Sequence, residues 1–202
     1  MRYLALGDSY TIGEGIAADA RWPVQLARAL RREGIALDDP DIIATTGWTT
    51  DELDAAIDAA RPIDDHALVS LLVGVNDQYR GRDVAQYRRE FAALLERAIG
   101  FAGGRSERVL VLSIPDWGVT RFGHDSGRDQ AAIARELDAY NATARDACMA
   151  RGVAFVDITP VSRELGAEPA MLADDGLHPS AAMYARWTRL ALPVARRMLA
   201  PR

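Results

Sequence analysis

The chain contains no lysine. All 24 of its basic residues are arginine; 29 acidic residues outnumber them, and the net charge is −5. No basic stripe forms anywhere along it. Arg31-Arg32, Arg88-Arg89 and Arg196-Arg197 fall on helical patterns and read as solvated faces, so no nucleic acid is expected as a partner. Cysteine is almost absent. Cys148 stands alone, cannot form an intrachain disulfide, and sits in an Ala-rich helical pattern that points to buried packing. Histidine occurs only at His66, His124 and His178. None belongs to a group with metal-ligand spacing, and Asp64-Asp65-His66 is too compact and reads as a turn, so neither a metal nor a cofactor is expected. Long apolar runs are missing too, which excludes a membrane-spanning helix and stable membrane association. The first strand pattern begins at about the second residue and leaves no room for a signal peptide, so a cytoplasmic location is expected. No repeat, linker or low-complexity segment divides the chain, and its 202 residues suit one domain, 1–202, with a sizeable core.

What the chain does have is an alternation of short apolar runs and amphipathic stripes. The runs Tyr3–Leu6, Ile42–Ala44, Leu68–Val73, Val109–Leu112 and Ala154–Val156 lack polar alternation, as strands buried on both faces should. Between them lie stripes at helical spacing: Trp22, Leu26, Ala29, Leu30; Val84, Tyr87, Phe91, Leu94, Ala98; Ile133, Leu137, Tyr140, Ala144. A last stripe carries Met183, Trp187, Leu190, Val194 and Met198, with Pro193 expected to kink its helix. Strand–helix alternation of this kind predicts an α/β fold. The expected form is a three-layer α/β/α sandwich around a central, mainly parallel sheet of about five strands.

Three turns near predicted strand ends, and a turn-rich loop close to the end of the chain, carry residues that could do chemistry. Gly7-Asp8-Ser9 follows the first strand directly, where a turn exposes the Ser9 hydroxyl and the strand fixes its position. Gly47-Trp48-Thr49 precedes a helix announced by the capping-box spacing of Thr49 and Glu52, and Gly47 lets a backbone N–H approach a ligand closely. Gly74-Val75-Asn76-Asp77 follows the third run, and the Asn76 amide is a neutral donor of the kind that can face a developing oxyanion. Asp175-Gly176-Leu177-His178-Pro179 places a carboxylate three residues before an imidazole. Serine is a poor nucleophile at neutral pH; it needs a neutral imidazole as base, and the imidazole needs a group that fixes its tautomer. His66 is expected at a strand entrance, and His124 sits in a Gly-containing loop that could line a cleft. In parallel sheets ligands bind beyond the carboxyl ends of the strands, which is where Ser9, Gly47 and Asn76 fall.

Taken together, GDSY (Gly7 to Tyr10), TGWT (Thr46 to Thr49), GVND (Gly74 to Asp77) and DGLHP (Asp175 to Pro179) resemble, in order, the four blocks of the SGNH hydrolases, the GDSL esterase/lipase family. Tyr10 stands where the family name has leucine. The resemblance implies a flavodoxin-like SGNH hydrolase fold. It also implies Ser9 as nucleophile, His178 as general base and acid, and Asp175 as its orienting partner. The oxyanion hole would be the backbone N–H groups of Ser9 and Gly47 with the Asn76 side chain.

Substrate choice is less sharply marked. The segment Ser113 to Gly127 is long for a strand–helix connection and carries Trp117, Phe122 and His124. With Trp48 and Tyr79 beside the oxyanion positions, Trp117 and Phe122 are candidate substrate walls. An aromatic rim suits an acyl chain, an aryl alcohol or a sugar face. The expected activity is hydrolysis of small or short-acyl carboxylic esters by a Ser-His-Asp triad, through an acyl-enzyme. Acyl-thioesterase, lysophospholipase and carbohydrate deacetylase activities are alternatives within the family. A non-catalytic flavodoxin-like module that holds a small ligand is the alternative from another class, but it has no use for the Asp175/His178 pair. The expected partner is a small-molecule ester, and the expected state is a monomer or small homo-oligomer.

Overall fold

The five apolar runs become the strands of one sheet in a computed structural model that describes residues 1–200: β1 (Tyr3–Gly7), β2 (Asp41–Ala44), β3 (Leu68–Leu72), β4 (Val109–Leu112) and β5 (Ala154–Val156). Their order is β2-β1-β3-β4-β5, and every neighbouring pair is parallel. Burial follows this order. β1, β3 and β4 are buried at every position, whereas the edge strands β2 and β5 are only partly so.

Nine α-helices connect and cover the strands among the described residues: α1 (Ser9–Ile12), α2 (Trp22–Arg32), α3 (Thr50–Ala60), α4 (Val75–Tyr79), α5 (Val84–Phe101), α6 (Arg121–Asp125), α7 (Gln130–Arg151), α8 (Thr159–Leu165) and α9 (Ala181–Leu199). α2 packs on α9, while α3, α5 and α7 pack in series, which gives the three expected layers. The core joins Trp22, Leu26 and Leu30 of α2 to Trp187 of α9, and Tyr87 and Phe91 of α5 to Tyr140 of α7. α9 runs unbroken through Pro193. Its buried face differs from the expected stripe: Ala191, Ala195 and Leu199 are buried, and Leu190 is 42% exposed. Alanine carries little hydrophobic signal in a sequence, yet its small side chain lets two helices approach closely, so the larger residues beside it dominate the sequence pattern. None of the helices is long and apolar enough to cross a membrane.

Register positions the site. Gly7 at the end of β1 lies opposite Ala44 at the end of β2 and Leu72 at the end of β3. Three successive strands therefore end at one level, and the turns that follow them emerge side by side. The chain goes from β1 outward to β2 and then returns past β1 to β3, so the switch in direction falls between β1 and β3.

Candidate active site

The β1–α1 turn is held by close packing. A Cβ on Gly7 would lie 2.2 Å from Thr11 Oγ1 and 2.5 Å from the Leu72 carbonyl, so only glycine fits. Asp8 then caps α1 by accepting from the Tyr10 N–H at 3.0 Å. Ser9 opens the helix. As a first-turn residue its N–H has no acceptor within the helix.

The turn after β2 uses Gly47 at φ 88°, a left-handed conformation that disfavours any other residue. The predicted capping box forms just beyond: Thr49 N–H donates to Glu52 Oε2 at 2.9 Å. After β3, Asn76 Nδ2 donates to the Trp48 carbonyl at 2.9 Å. An amide nitrogen carries two hydrogens, so this bond fixes the Asn76 plane and leaves the second N–H free to donate. The neighbouring Asp77 is fully buried and accepts from Thr50 N–H at 3.1 Å and Thr50 Oγ at 2.8 Å, which locks the β3–α4 turn to the start of α3.

The fourth turn folds on itself. Ala173 N–H donates to the His178 carbonyl at 2.7 Å, and Leu172 pairs with Pro179 in a single antiparallel bridge. Within it Asp175 Oδ1 accepts from the N–H groups of Leu177 (2.8 Å) and His178 (2.9 Å), and Oδ2 lies 2.5 Å from His178 Nδ1. A carboxylate there assigns the proton to Nδ1 and leaves Nε2 as the acceptor. Burial opposes ionisation of Asp175, but the hydrogen bonds from the His178 ring and the two backbone groups outweigh it and hold the carboxyl below the ordinary value.

All four turns open on one cavity of about 210 Å³. Ser9, Gly47, Asn76 and His178 line one side of it. Tyr79, Trp117 and Phe122 form an aromatic wall, with ring centroids 5.4 Å apart for Tyr79–Trp117 and 6.0 Å for Trp117–Phe122. The wall is braced from behind: Trp117 Nε1 donates to Gln78 Oε1 at 2.8 Å, and Arg128 stacks over Trp117 at 5.2 Å and Tyr79 at 5.6 Å. The long segment 113–127 is thus ordered, with a 3₁₀ turn at Trp117–Val119 and α6, and Phe122 N–H donates to the Gly176 carbonyl at 3.0 Å.

Two expected positions fall elsewhere. Trp48 does not line the cavity; it packs partly buried against the core and contributes its carbonyl to Asn76. His124 is exposed, and its Nδ1 meets Gln130 Nε2 instead of facing the cavity. His66 is buried just ahead of β3, as expected, with Nδ1 on the Phe101 carbonyl at 3.2 Å. Conversely, Tyr10, Thr46, Val75 and Leu177 line the cavity without having been singled out. Each belongs to one of the four sequence blocks, beside the residue expected to act there. Cys148 is buried in α7, where burial pushes its thiol up to about 12 and makes it unreactive. Asp51, Asp77 and Glu90 bring carboxylate oxygens within 4.8 Å of one another, a grouping that sequence spacing did not show. Arg82 Nη1 sits among them at 2.6, 3.4 and 3.6 Å and supplies their positive charge.

Asp8 is the most deeply buried acid beside Ser9. It is fully buried, its Oδ2 has no hydrogen-bond partner, and burial pushes its carboxyl up to about 8, with Asp77 adding to the rise against the lowering effect of the Tyr10 N–H. Asp77 itself is raised to about 6 by burial. An acid raised in the folded state keeps a proton that the unfolded chain, titrating near ~3.9, has already lost. Stability contributed by Asp8 is therefore present below that value and lost as pH rises toward 8. Asp8→Asn is expected to remove part of this slope, which cannot exceed about 1.4 kcal/mol per pH unit for one proton. Thermal unfolding of both proteins between pH 5 and pH 8 measures it. Equal slopes would show that Asp8 titrates as it does in the unfolded chain.

Comparison with known proteins identifies the family and the fold. The model of the GDSL-like lipase/acylhydrolase family matches residues 5–186. No curated protein is matched by sequence. Among solved structures, TesA superposes with a TM-score of 0.77 at 22% identity, covering 98% of this chain and 100% of that one. A lipase/acylhydrolase from Enterococcus faecalis gives 0.70 at 23% identity, covering 100% of this chain and 99% of that one. The W215I variant of Axe2, an acetyl xylan esterase from Geobacillus stearothermophilus, gives 0.72 at 20% identity, covering 100% and 96%. At these identities the structures share the fold, and the family match over most of the length supplies the assignment: the chain belongs to the GDSL-like lipase/acylhydrolase family.

Proposed function

We propose that this protein is a serine hydrolase of small or short-acyl carboxylic esters. The observation that carries the reading is that Ser9 and His178 open on one cavity while Asp175 holds His178 Nδ1 from behind at 2.5 Å. In the first half-reaction His178 Nε2 takes the Ser9 proton as Oγ attacks the ester carbonyl. The carbonyl oxygen becomes an oxyanion that accepts from Ser9 N–H, Gly47 N–H and Asn76 Nδ2. Collapse expels the alcohol, which takes the proton from His178, and leaves an acyl-Ser9 ester. Water, deprotonated by the same imidazole, then releases the acid and restores Ser9. Only residues of the chain are needed.

Cavity size supports short substrates. At about 210 Å³ it is smaller than the roughly 300–1,000 Å³ of drug-sized pockets, and its far wall is a braced aromatic cluster. A panel of p-nitrophenyl esters tests this: acetate and butyrate are expected to give higher kcat/KM than octanoate. A preference that climbs with chain length would contradict it.

Asn76 offers a sharper test of the hole. The negative charge exists only in the transition state, so Asn76→Ala is expected to lower kcat by about 10²–10³ with KM little changed. Asn76→Asp should be at least as damaging, because a carboxylate repels the oxyanion at nearly the same shape. Loss of the Trp48 bond also affects folding, so kcat is read beside the melting temperature. A folded Asn76→Ala protein with near wild-type kcat would leave the hole with two backbone donors.

A further inference from the structure

We propose that Arg80 is a positioning residue for the oxyanion hole, acting through the Gly47 peptide. The proposal rests on the hydrolase reading above and assigns a role to a residue outside the four motifs. Arg80 follows α4 as its C-cap. Its Nη2 donates to the Gly47 carbonyl at 2.7 Å, and the same guanidinium reaches Glu52 Oε1 and Oε2, each at 3.3 Å. Asn76, four residues earlier, holds the next carbonyl along, that of Trp48. Two consecutive peptides of the loop after β2 are therefore gripped by one short segment after β3.

Gly47 has little else to hold it. It has no side chain, its backbone is left-handed, and a Cβ built there would meet nothing nearer than Arg80 Nη2 at 4.0 Å. Among the described residues no other group donates to its carbonyl. A glycine peptide free to rotate would turn its N–H away from the oxyanion, and a donor is useful only when pre-aimed. Arg80 does not line the cavity, and the site residue its guanidinium holds directly is Gly47. Glu52 completes the brace, since its Oε2 also accepts from Thr49 N–H and so ties the guanidinium to the start of α3. Arginine suits this task because its planar fork can serve a carbonyl and a carboxylate together, which a lysine ammonium does less well.

A purely structural role predicts something different. The Arg80 and Glu52 side chains are 45% and 41% exposed, and exposed ion pairs add little to stability. Arg80→Ala is therefore expected to melt close to wild type, to lose about tenfold in kcat with KM little changed, and to regain part of that loss with added methylguanidinium. Arg80→Lys, which keeps stem and charge but loses the fork, should fall between the two. Unchanged kcat in Arg80→Ala would overturn the proposal. So would a loss carried by KM or by a lowered melting temperature, or one that methylguanidinium does not reduce. Ser9→Ala, assayed alongside, separates the two levels: if that variant turns over normally the hydrolase reading itself fails, whereas an inactive Ser9→Ala beside a fully active Arg80→Ala removes only Arg80.

Discussion

Replacing Ser9 by alanine is expected to lower ester hydrolysis by several orders of magnitude while leaving the fold intact. Among the described residues Ser9 is the only serine that lines the cavity, and the turn that presents it is built by its neighbours. Gly7 allows the close approach to Thr11 and Leu72, and Asp8 caps the helix, so neither support depends on the Ser9 hydroxyl. Losing Oγ removes the bond-forming atom but keeps the backbone donors and the cavity. The residual rate should therefore be set by oxyanion stabilisation and binding alone, roughly 10³–10⁴ over water in known serine proteases. Measured kcat/KM for the purified variant, with its circular dichroism spectrum, checks both halves of the expectation. Near wild-type turnover in a folded Ser9→Ala protein would place the nucleophile elsewhere.

The second large effect is expected from Asp175→Asn. Asp175 accepts at both oxygens: Oδ1 from two backbone N–H groups, Oδ2 from His178. An asparagine that keeps its carbonyl on the backbone donors turns its NH₂ toward Nδ1. That nitrogen must then accept, which moves the ring proton to Nε2, the atom proposed to receive the Ser9 proton. The wrong tautomer costs about 10⁴ in kcat where the carboxylate is buried. Asp175 is 41% exposed at its side chain, so water can partly compensate, and a loss of roughly 10³ is expected here. Asn is nearly isosteric, so binding should change little and the effect should sit in kcat. A change of only a few fold would mean that His178 is oriented by its loop and not by this carboxylate.

Sequence reasoning was strongest where local chemistry and strand ends coincide. Each of the five predicted strands is present within a residue or so of its expected limits, because sheet strands covered by helices leave short, mainly apolar runs without polar alternation. Ser9, Gly47 and Asn76 were legible because each follows such a run. The parallel register that sets Gly7 opposite Ala44 and Leu72 then brings their turns together. What the sequence did not show depends on side-chain direction and distant pairing. Trp48 was expected in the wall from adjacency alone, but the approach to the capping box turns its ring toward the core and its carbonyl toward Asn76. Gln78 bracing Trp117 spans 39 residues and Arg80 holding Gly47 spans 33, and neither pair leaves a local pattern. The buried face of α9 was misplaced for a related reason, since its small alanines read as neutral until a partner helix is seen against them.

A covalent probe tests the central claim most directly. The protein is incubated with a fluorophosphonate, and the adduct is located by intact mass and peptide mapping. The predicted result is one phosphonyl group per chain, on Ser9, formed slowly or not at all in His178→Ala and absent from Ser9→Ala. Labelling of another residue, or equal labelling of the folded Ser9→Ala protein, would contradict a Ser9 nucleophile activated by His178.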